Sequence, residues 1–252
     1  MAYLIYILLF CFTIPQYDGG KNISYAMPET VESDTVICHT HYCFCYSEQH
    51  EQAFWLAYQI EAKMLIPVVD RAKAFRTDPK IETMSADNDD YYKSGYDKGH
   101  LAPARDMAFD PIAQEECFYF GNISPQVPEF NRGIWRGLEF KVRNWVNQFE
   151  KVYVVTGPLL HDSLPVIGEN RVSVPEYFYK AVLVYNDTLC KSIGFVIPNS
   201  TGLGNAYSKY VVSVDSIETL TQRNLFYLLD DELENVAESE TDYEFWQLIK
   251  PE

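Results

Sequence analysis

The chain has 252 residues, of which 47% are hydrophobic and 22% are charged. This is the balance of an ordinary globular protein with enough length for one large domain. No internal repeat or low-complexity tract is present, which excludes a repeat array. The formal net charge of −16 argues against a general polyanion-binding protein, because phosphate binding is mainly electrostatic.

The charge is unevenly distributed along the chain. Residues 230–252 hold nine carboxylates and one lysine, which is half of the net charge. The stretch 98–143 instead supplies six basic residues: Lys98, Arg105, Arg132, Arg136, Lys141 and Arg143. A local basic groove on an acidic body is therefore expected, with weak and strongly salt-dependent binding of any polyanion.

The first residues form a short apolar run. Residues 4–14 read LIYILLFCFTI, about half of the ~20 residues that a membrane-spanning helix needs. We expect residues 1–16 to be a removed signal peptide, with no membrane span and a secreted or periplasmic protein. The run lacks a preceding lysine or arginine, and a buried N-terminal strand is the alternative.

Five cysteines follow this run. They permit at most two disulfides in an oxidising compartment, and their pairing is left open. Two of them, Cys43 and Cys45, lie on the same face of a strand and cannot easily pair with each other. The neighbouring histidines suggest zinc, but the spacing fits no closed zinc pattern. The residues concerned are Cys38, Cys43, Cys45, Cys117 and Cys190, with His39, His41 and His50.

The first half of the chain is predicted to hold a leader, a strand, a helix and an acidic loop. Residues 18–32 are polar and turn-rich, and 35–46 alternate as a strand does. Ser47 resembles the N-cap of a helix to about Leu65. Residues 78–94 are loop-like, and 95–100 form a short strand. The expected core positions of the helix are Phe54, Leu56, Ile60, Met64 and Leu65.

The second half begins with an amphipathic helix. Residues 131–150 repeat apolar side chains at steps of three and four: Ile134, Leu138, Val142, Trp145 and Phe149. Strands are predicted at 151–158, 179–185 and 192–198. Residues 214–225 are predicted to be a closing helix or turn, and the tail beyond Asp230 to be loosely ordered. The fold class is therefore α+β, a single domain with an antiparallel sheet flanked by helices.

Two motifs carry the chemistry. Residues 97–107 read DKGHLAPARDM, and Asn131 follows His100 by thirty-one residues within NISPQVPEFNRGIWRGLE at 122–139. A lone histidine is usually structural, but two motifs in this order and spacing are a stronger signal. Together they resemble the active site of the DNA/RNA non-specific endonucleases. That resemblance implies a ββα-metal (His-Me finger) motif, in which a base histidine on a strand faces a metal-holding asparagine on the next helix.

The resemblance extends over residues 47–225 and implies specific roles. It makes His100 the general base and Asn131 the metal ligand, with supporting roles for Asn122, Glu139 and Arg143. The family's usual Asp-Arg-Gly-His is Asp-Lys-Gly-His here. Lys98 keeps the positive charge but loses the bidentate fork of arginine. On this basis the chain divides into leader and first strand (17–46), endonuclease domain (47–229) and acidic tail (230–252).

The residue chemistry refines these roles. A neutral histidine suits a base near pH 7, and Mg²⁺, for which Mn²⁺ substitutes, takes few protein ligands. Asn131 and Glu139 are separated by about 12 Å along a helix. Glu139 is therefore expected to hold metal-bound waters rather than the ion.

Three further side chains are placed around the substrate. Arg143 and Lys98 are each either phosphate contacts or surface charges. Asn122 is grouped with the substrate-binding residues, as a hydrogen bonder that supports the site rather than a glycan acceptor.

These observations predict an exported, Mg²⁺-dependent endonuclease acting on DNA and RNA without strong sequence specificity. The family implies 5′-phosphate products. The alternative is a nuclease-like binding module without catalysis, kept open by the acidity of the chain and by Lys98. Whether the protein forms a homodimer or meets an inhibitor protein is left open.

Overall fold

The computed structural model describes residues 24–247, so the predicted signal peptide at 1–16 lies outside the described residues. Eleven strands are described, and seven of them form one antiparallel sheet in the order β1-β2-β3-β6-β9-β10-β11. The strands are β1 (Thr35–Cys38), β2 (Tyr42–Ser47), β3 (Gln52–Glu61), β4 (Asp97–His100), β5 (Ile123–Gln126), β6 (Lys151–Pro158), β7 (Val166–Ile167), β8 (Val172–Ser173), β9 (Tyr177–Asn186), β10 (Leu189–Pro198) and β11 (Val211–Val212).

Helices flank this sheet, and two small hairpins, β4-β5 and β7-β8, lie beside it. Within residues 24–247, none of the helices combines the length and the apolar character needed to cross a membrane. The α-helices are α1 (Asn88–Tyr91), α2 (Pro111–Glu116), α3 (Pro128–Phe130), α4 (Arg136–Phe149), α5 (Val214–Thr221), α6 (Asp231–Ser239) and α7 (Tyr243–Gln247). A π-helical turn, Asn131–Trp135, joins α3 to α4.

Both faces of the sheet are buried. The predicted stripe of α4 packs on one face, where Leu138, Val142 and Trp145 belong to the same apolar cluster as Val154 and Phe195. The other face is covered by α5 and the segment after it, with a second cluster that includes Trp55, Ile217, Leu225 and Phe226. A sheet covered on both sides confirms the predicted fold class.

The helix predicted from Ser47 to Leu65 is wrong. The segment forms β3, and only Ala62–Leu65 makes a 3-10 turn. Leu56, Tyr58 and Ile60 face one apolar cluster, while Trp55 and Ala57 face the other. A strand buried on both faces loses the apolar–polar alternation and imitates a helical stripe. Phe54, predicted to be core, is 40% exposed.

The predicted first strand, residues 35–46, is a hairpin of β1 and β2. The disulfide Cys38–Cys43 closes this hairpin. Cys43 and Cys45 do not pair with each other, as expected for neighbours on one strand face. Of the cysteines in the described residues, Cys45, Cys117 and Cys190 are free thiols.

Between Asp230 and Gln247 the tail is not loosely ordered, contrary to the prediction. It forms α6 and α7, and the Trp246 side chain is 2% exposed. Its ring lies 4.8 Å from that of Trp145, whose Nε1 donates a 3.0 Å hydrogen bond to the Trp246 carbonyl. Burial of one large aromatic ring fixes a segment that is otherwise mostly polar.

The domain limits remain a proposal. The division proposed at residue 47 falls inside the main sheet, because β1 and β2 pair with β3.

Candidate active-site cleft

The two sequence motifs form consecutive parts of one ββα unit. Strand β4 pairs with β5, so that His100 lies opposite Ile123 and Gly99 opposite Ser124. The chain then continues through α3 and the π-helical turn into α4. Gly99 is required by close packing, because a Cβ at this position would lie 2.1 Å from the Gln126 side chain. A side chain at position 99 would therefore require the buried Gln126 side chain to move.

The unit opens into a cleft of about 280 Å³. Six basic side chains and one carboxylate line it, which makes the cleft electropositive on a chain of net charge −16. This supports the expected basic groove, with the exception of Lys141, which packs over Tyr207 instead. The polar lining residues are Arg71, Lys98, His100, Arg105, Asn131, Arg132, Arg136, Glu139 and Arg143.

His100 lies at the cleft with little exposed surface. Its ring contacts Phe118 at 4.8 Å and Phe75 at 5.4 Å between centroids. Its Nε2 has no hydrogen-bond partner among residues 24–247. Burial, and then the positive charge of Arg71, lowers the pKa of His100 to about 3. The imidazole is therefore neutral at physiological pH.

Asn131 begins the π-helical turn, and its side chain is oriented by Asp97. The amide Nδ2 donates a 2.9 Å hydrogen bond to Asp97 Oδ2. Arg132 holds the same carboxylate from Nε and Nη2, at 2.8 and 2.6 Å. Because Nδ2 of Asn131 donates to Asp97, the amide oxygen Oδ1 points away from Asp97. That oxygen is a suitable ligand for a hard cation. The turn is kinked at Gly133, whose backbone is not helical.

Two charged residues of the cleft lining, Glu139 and Arg143, interact with two fully buried ones, Asp106 and Lys180. Arg143 Nη1 donates a 2.8 Å hydrogen bond to Oδ1 of Asp106, which is fully buried. Lys180, also fully buried on β9, places its Nζ 4.7 Å from the centroid of Trp135. Burial, followed by the charge of Asp106, raises the pKa of Glu139, and burial lowers the pKa of Lys180. Arg143 is therefore tied to Asp106 at the edge of the cleft rather than free.

Lys98 forms part of the cleft wall. Its Nζ donates to Asn88 Oδ1 at 2.5 Å and lies 5.1 Å from the Phe75 ring centroid. Burial lowers its pKa. The ammonium is thus held beside the ring that also contacts His100, where it is available to a phosphate entering the cleft.

Asn122 lies under the cleft and has no exposed surface. Its Oδ1 accepts from the Ala102 amide at 2.8 Å, while Nδ2 donates to the carbonyls of Ala102 and Cys117 at 3.0 and 2.7 Å. Its own carbonyl accepts from Leu101. Direct substrate contact by Asn122 is therefore corrected: the buried amide holds the turn that follows His100, which agrees with a supporting role.

Sequence reasoning missed three residues near the site. Arg71 comes from the loop after Leu65, where no motif marks it. Asp106 was within the quoted run but was given no role. Lys180 interrupts an apolar strand, and a charged residue in a run predicted to be buried was the available signal.

The histidines near the disulfide have structural partners. His39 Nε2 lies 2.8 Å from Asp78 Oδ2, and His50 Nδ1 lies 2.8 Å from Ser173 Oγ. Cys38 and Cys43 are joined to each other.

The relatives found by comparison with known proteins and described here are nucleases. "Nuclease EXOG, mitochondrial" of Homo sapiens is 32% identical over 81% of this chain and 61% of its own length. "Endonuclease G, mitochondrial" of Homo sapiens is 32% identical over 70% of this chain and 64% of its own. The chain thus spans about three fifths of these relatives. A solved EndoG/EndoGI complex, described as showing the mechanism of EndoG inhibition, matches with a TM-score of 0.77 and 30% identity over 84% of this chain and 92% of that one.

These relatives correct the expected location. The EXOG and endonuclease G relatives are described as mitochondrial, as is a nuclease of Saccharomyces cerevisiae. This overturns the secreted or periplasmic location that the apolar N-terminal run had predicted.

The match to the family is broad. Residues 18–232 match the family described as DNA/RNA non-specific endonuclease, which includes both motifs, β4, β5 and α4. The family resemblance drawn from the two motifs is confirmed, and the chain belongs to the DNA/RNA non-specific endonuclease family.

Proposed function

We propose that this chain is a metal-dependent endonuclease that hydrolyses phosphodiester bonds of DNA and RNA without strong sequence specificity. One observation carries the proposal. A neutral histidine and an asparagine oriented by Asp97 line the same electropositive cleft. Family membership adds to this observation but does not assign the residues.

His100 is the proposed general base. Hydrolysis needs a group that removes a proton from the attacking water, and a histidine can do so only in its unprotonated form. The low pKa of His100 keeps the ring in that form throughout the neutral range. Phe75 and Phe118 fix the ring plane, so the base is oriented before substrate arrives.

The residues of the cleft fit a hydrated divalent cation. Asn131 would supply one neutral oxygen, and the Glu139 carboxylate would hold metal-bound waters. A bound Mg²⁺, or Mn²⁺ in its place, supplies charge stabilisation for the phosphate and for the leaving oxygen. Asp97 maintains the ligand geometry by accepting from Asn131 Nδ2.

The basic side chains are proposed to bind the backbone of the substrate. Lys98, Arg105 and Arg143 lie along the cleft, and a second cleft of about 500 Å³ shares Arg71, Ala104 and Arg105 with it. The two clefts are therefore adjacent and share basic residues. Contacts to phosphates carry no base information, which agrees with weak sequence specificity. Arg143 Nη1 already donates to Asp106, so only the other N–H groups of Arg143 would stabilise the negative charge of the phosphate in the transition state.

The proposal is tested with plasmid DNA and a structured RNA, with Mg²⁺ and with EDTA. We expect both substrates to be cut with Mg²⁺ and neither with EDTA. His100→Ala should lose most activity while remaining folded, and Asn131→Ala should cut more slowly and need more metal. Wild-type turnover by His100→Ala would remove the base assignment. Metal-independent binding of nucleic acid without cleavage would support the inactive binding module instead.

A further inference from the structure

Three carboxylates meet where α5 and α6 lie side by side, away from the active-site cleft. Asp215 and Glu218 are one turn apart on α5, and Glu238 comes from α6. One oxygen from each residue lies within 4.8 Å of the other two. None of the three lines the active-site cleft, so this group, here called the α5–α6 acidic cluster, takes no part in the proposed hydrolysis.

The cluster contains a buried oxygen without a partner. Glu238 is 2% exposed, and in the described part of the chain its Oε1 meets no hydrogen-bond donor. A buried carboxylate oxygen left unpaired is costly, and native proteins rarely retain one without a ligand, a water or a proton. Glu218 is partly satisfied, because it accepts a 2.7 Å hydrogen bond from the Leu225 amide.

No basic side chain compensates this charge. Among residues 24–247, none of the three carboxylates forms an ion pair with lysine or arginine. The nearby Lys191 is engaged by Glu240 instead. Burial, and then the charges of Glu218, Glu234 and Asp215, raises the pKa of Glu238 to about 9.

We propose that the α5–α6 acidic cluster is a binding site for a calcium-sized divalent cation that joins α6 to α5. Three carboxylate oxygens suit a hard cation. Two oxygens bound to one ion lie no farther apart than twice the metal–oxygen distance, about 4.6–5.2 Å for Ca²⁺ and about 4.0–4.2 Å for Mg²⁺. Separations within 4.8 Å are compatible with the calcium limit. Calcium is also the better match for three protein carboxylates, because Mg²⁺ usually keeps several waters and takes only one or two.

The proposed ion would compensate a buried charge. Burial disfavours the charged form of Glu238, and a bound cation would favour the carboxylate. The groups facing Glu238 are Asp215 and Glu218 on α5, Glu234 on α6 itself and the backbone of Phe226, while β10 contributes Cys190. The ion would stabilise the packing of the acidic C-terminal helices independently of nuclease activity.

The test is thermal unfolding of the full chain at pH 8, with EDTA, CaCl₂ or MgCl₂. The Asn131→Ala variant serves as the background, because it removes the proposed metal ligand of the cleft. Saturating calcium, at about a hundred times its dissociation constant, should raise Tm by on the order of 5 °C, and magnesium by less. Calorimetric titration of the same variant should give one calcium ion per chain.

Two further variants in that background separate the site from general effects. Glu238→Gln imitates the protonated side chain, so it should melt in EDTA at or above the temperature of the background and gain nothing from calcium. Asp215→Asn, at an exposed position, should weaken calcium binding at least tenfold. A calcium shift that persists in either variant, an equal shift with magnesium, or no shift at all would overturn the proposal.

Discussion

Replacing Asn122 by alanine tests whether this residue supports His100 or contacts substrate. The change removes three hydrogen bonds and leaves the Ala102 amide and two carbonyls without partners in a fully buried place. Each unpaired group costs about 1–3 kcal/mol, so a loss of about 3 kcal/mol is the lower end. For a domain of this size that lowers Tm by roughly 6–12 °C.

The effect on catalysis should be a loss of kcat. Asn122 fixes the turn directly after His100, and a shift of the base by about 1 Å reduces the rate by on the order of a hundredfold. KM should change little, because the Asn122 side chain has no surface that a substrate reaches. Initial rates on a duplex oligonucleotide, measured at least 15 °C below the melting temperature of the variant, give both constants.

Trp246→Ala is the matched control for loss of stability alone. It removes a buried ring that packs on the last turns of α4, at an expected cost of about 3–5 kcal/mol. This variant should melt at a similar temperature to Asn122→Ala but keep its kcat. If Asn122→Ala raises KM and leaves kcat unchanged, Asn122 contacts substrate and the supporting role is refuted. Unchanged melting would refute the hydrogen-bond argument itself.

Three further results are expected. Because the pKa of Glu139 is raised, its carboxylate becomes protonated at a higher pH than that of an ordinary glutamate. Cleavage at limiting metal should therefore decline below neutral pH, where the low pKa of His100 has no effect. A pH–rate profile that Glu139→Gln does not alter would contradict this. Arg105→Ala should make the negative slope of log(kcat/KM) against log[salt] shallower by about 1, because one phosphate contact is lost. Lys63 is exposed and lies outside the cleft, so Lys63→Ala should leave the slope unchanged. Burial lowers the pKa of His39, but the hydrogen bonds that the imidazole donates to the Asp78 and Glu116 carboxylates outweigh burial and raise it overall. Their stabilisation is complete below pH 6.5 and is lost as pH rises through the raised pKa. The Tm difference between wild type and His39→Gln should therefore shrink from pH 6 to pH 8.5, and a difference that widens would contradict this.

Local sequence was sufficient for the parts of the molecule with one buried face. The stripe of α4 could be predicted from Ile134, Leu138 and Val142, because a helix that buries one side repeats its apolar residues every three to four positions. The two motifs likewise predicted that His100 and Asn131 belong to one ββα unit, and the structure places both at one cleft, while their chemical roles stay a prediction.

The tertiary structure alone decided which distant residues meet. The sequence of β3 does not distinguish a strand from a helix. In the structure β3 pairs with β2 and β6, and an apolar cluster covers each of its faces. The pairing of Arg143 with Asp106, the position of Lys180 beneath the cleft and the docking of Trp246 on α4 join segments far apart in the chain. Periodicity describes how a segment divides its own faces between core and solvent, whereas burial of charge depends on the partners that folding brings from elsewhere.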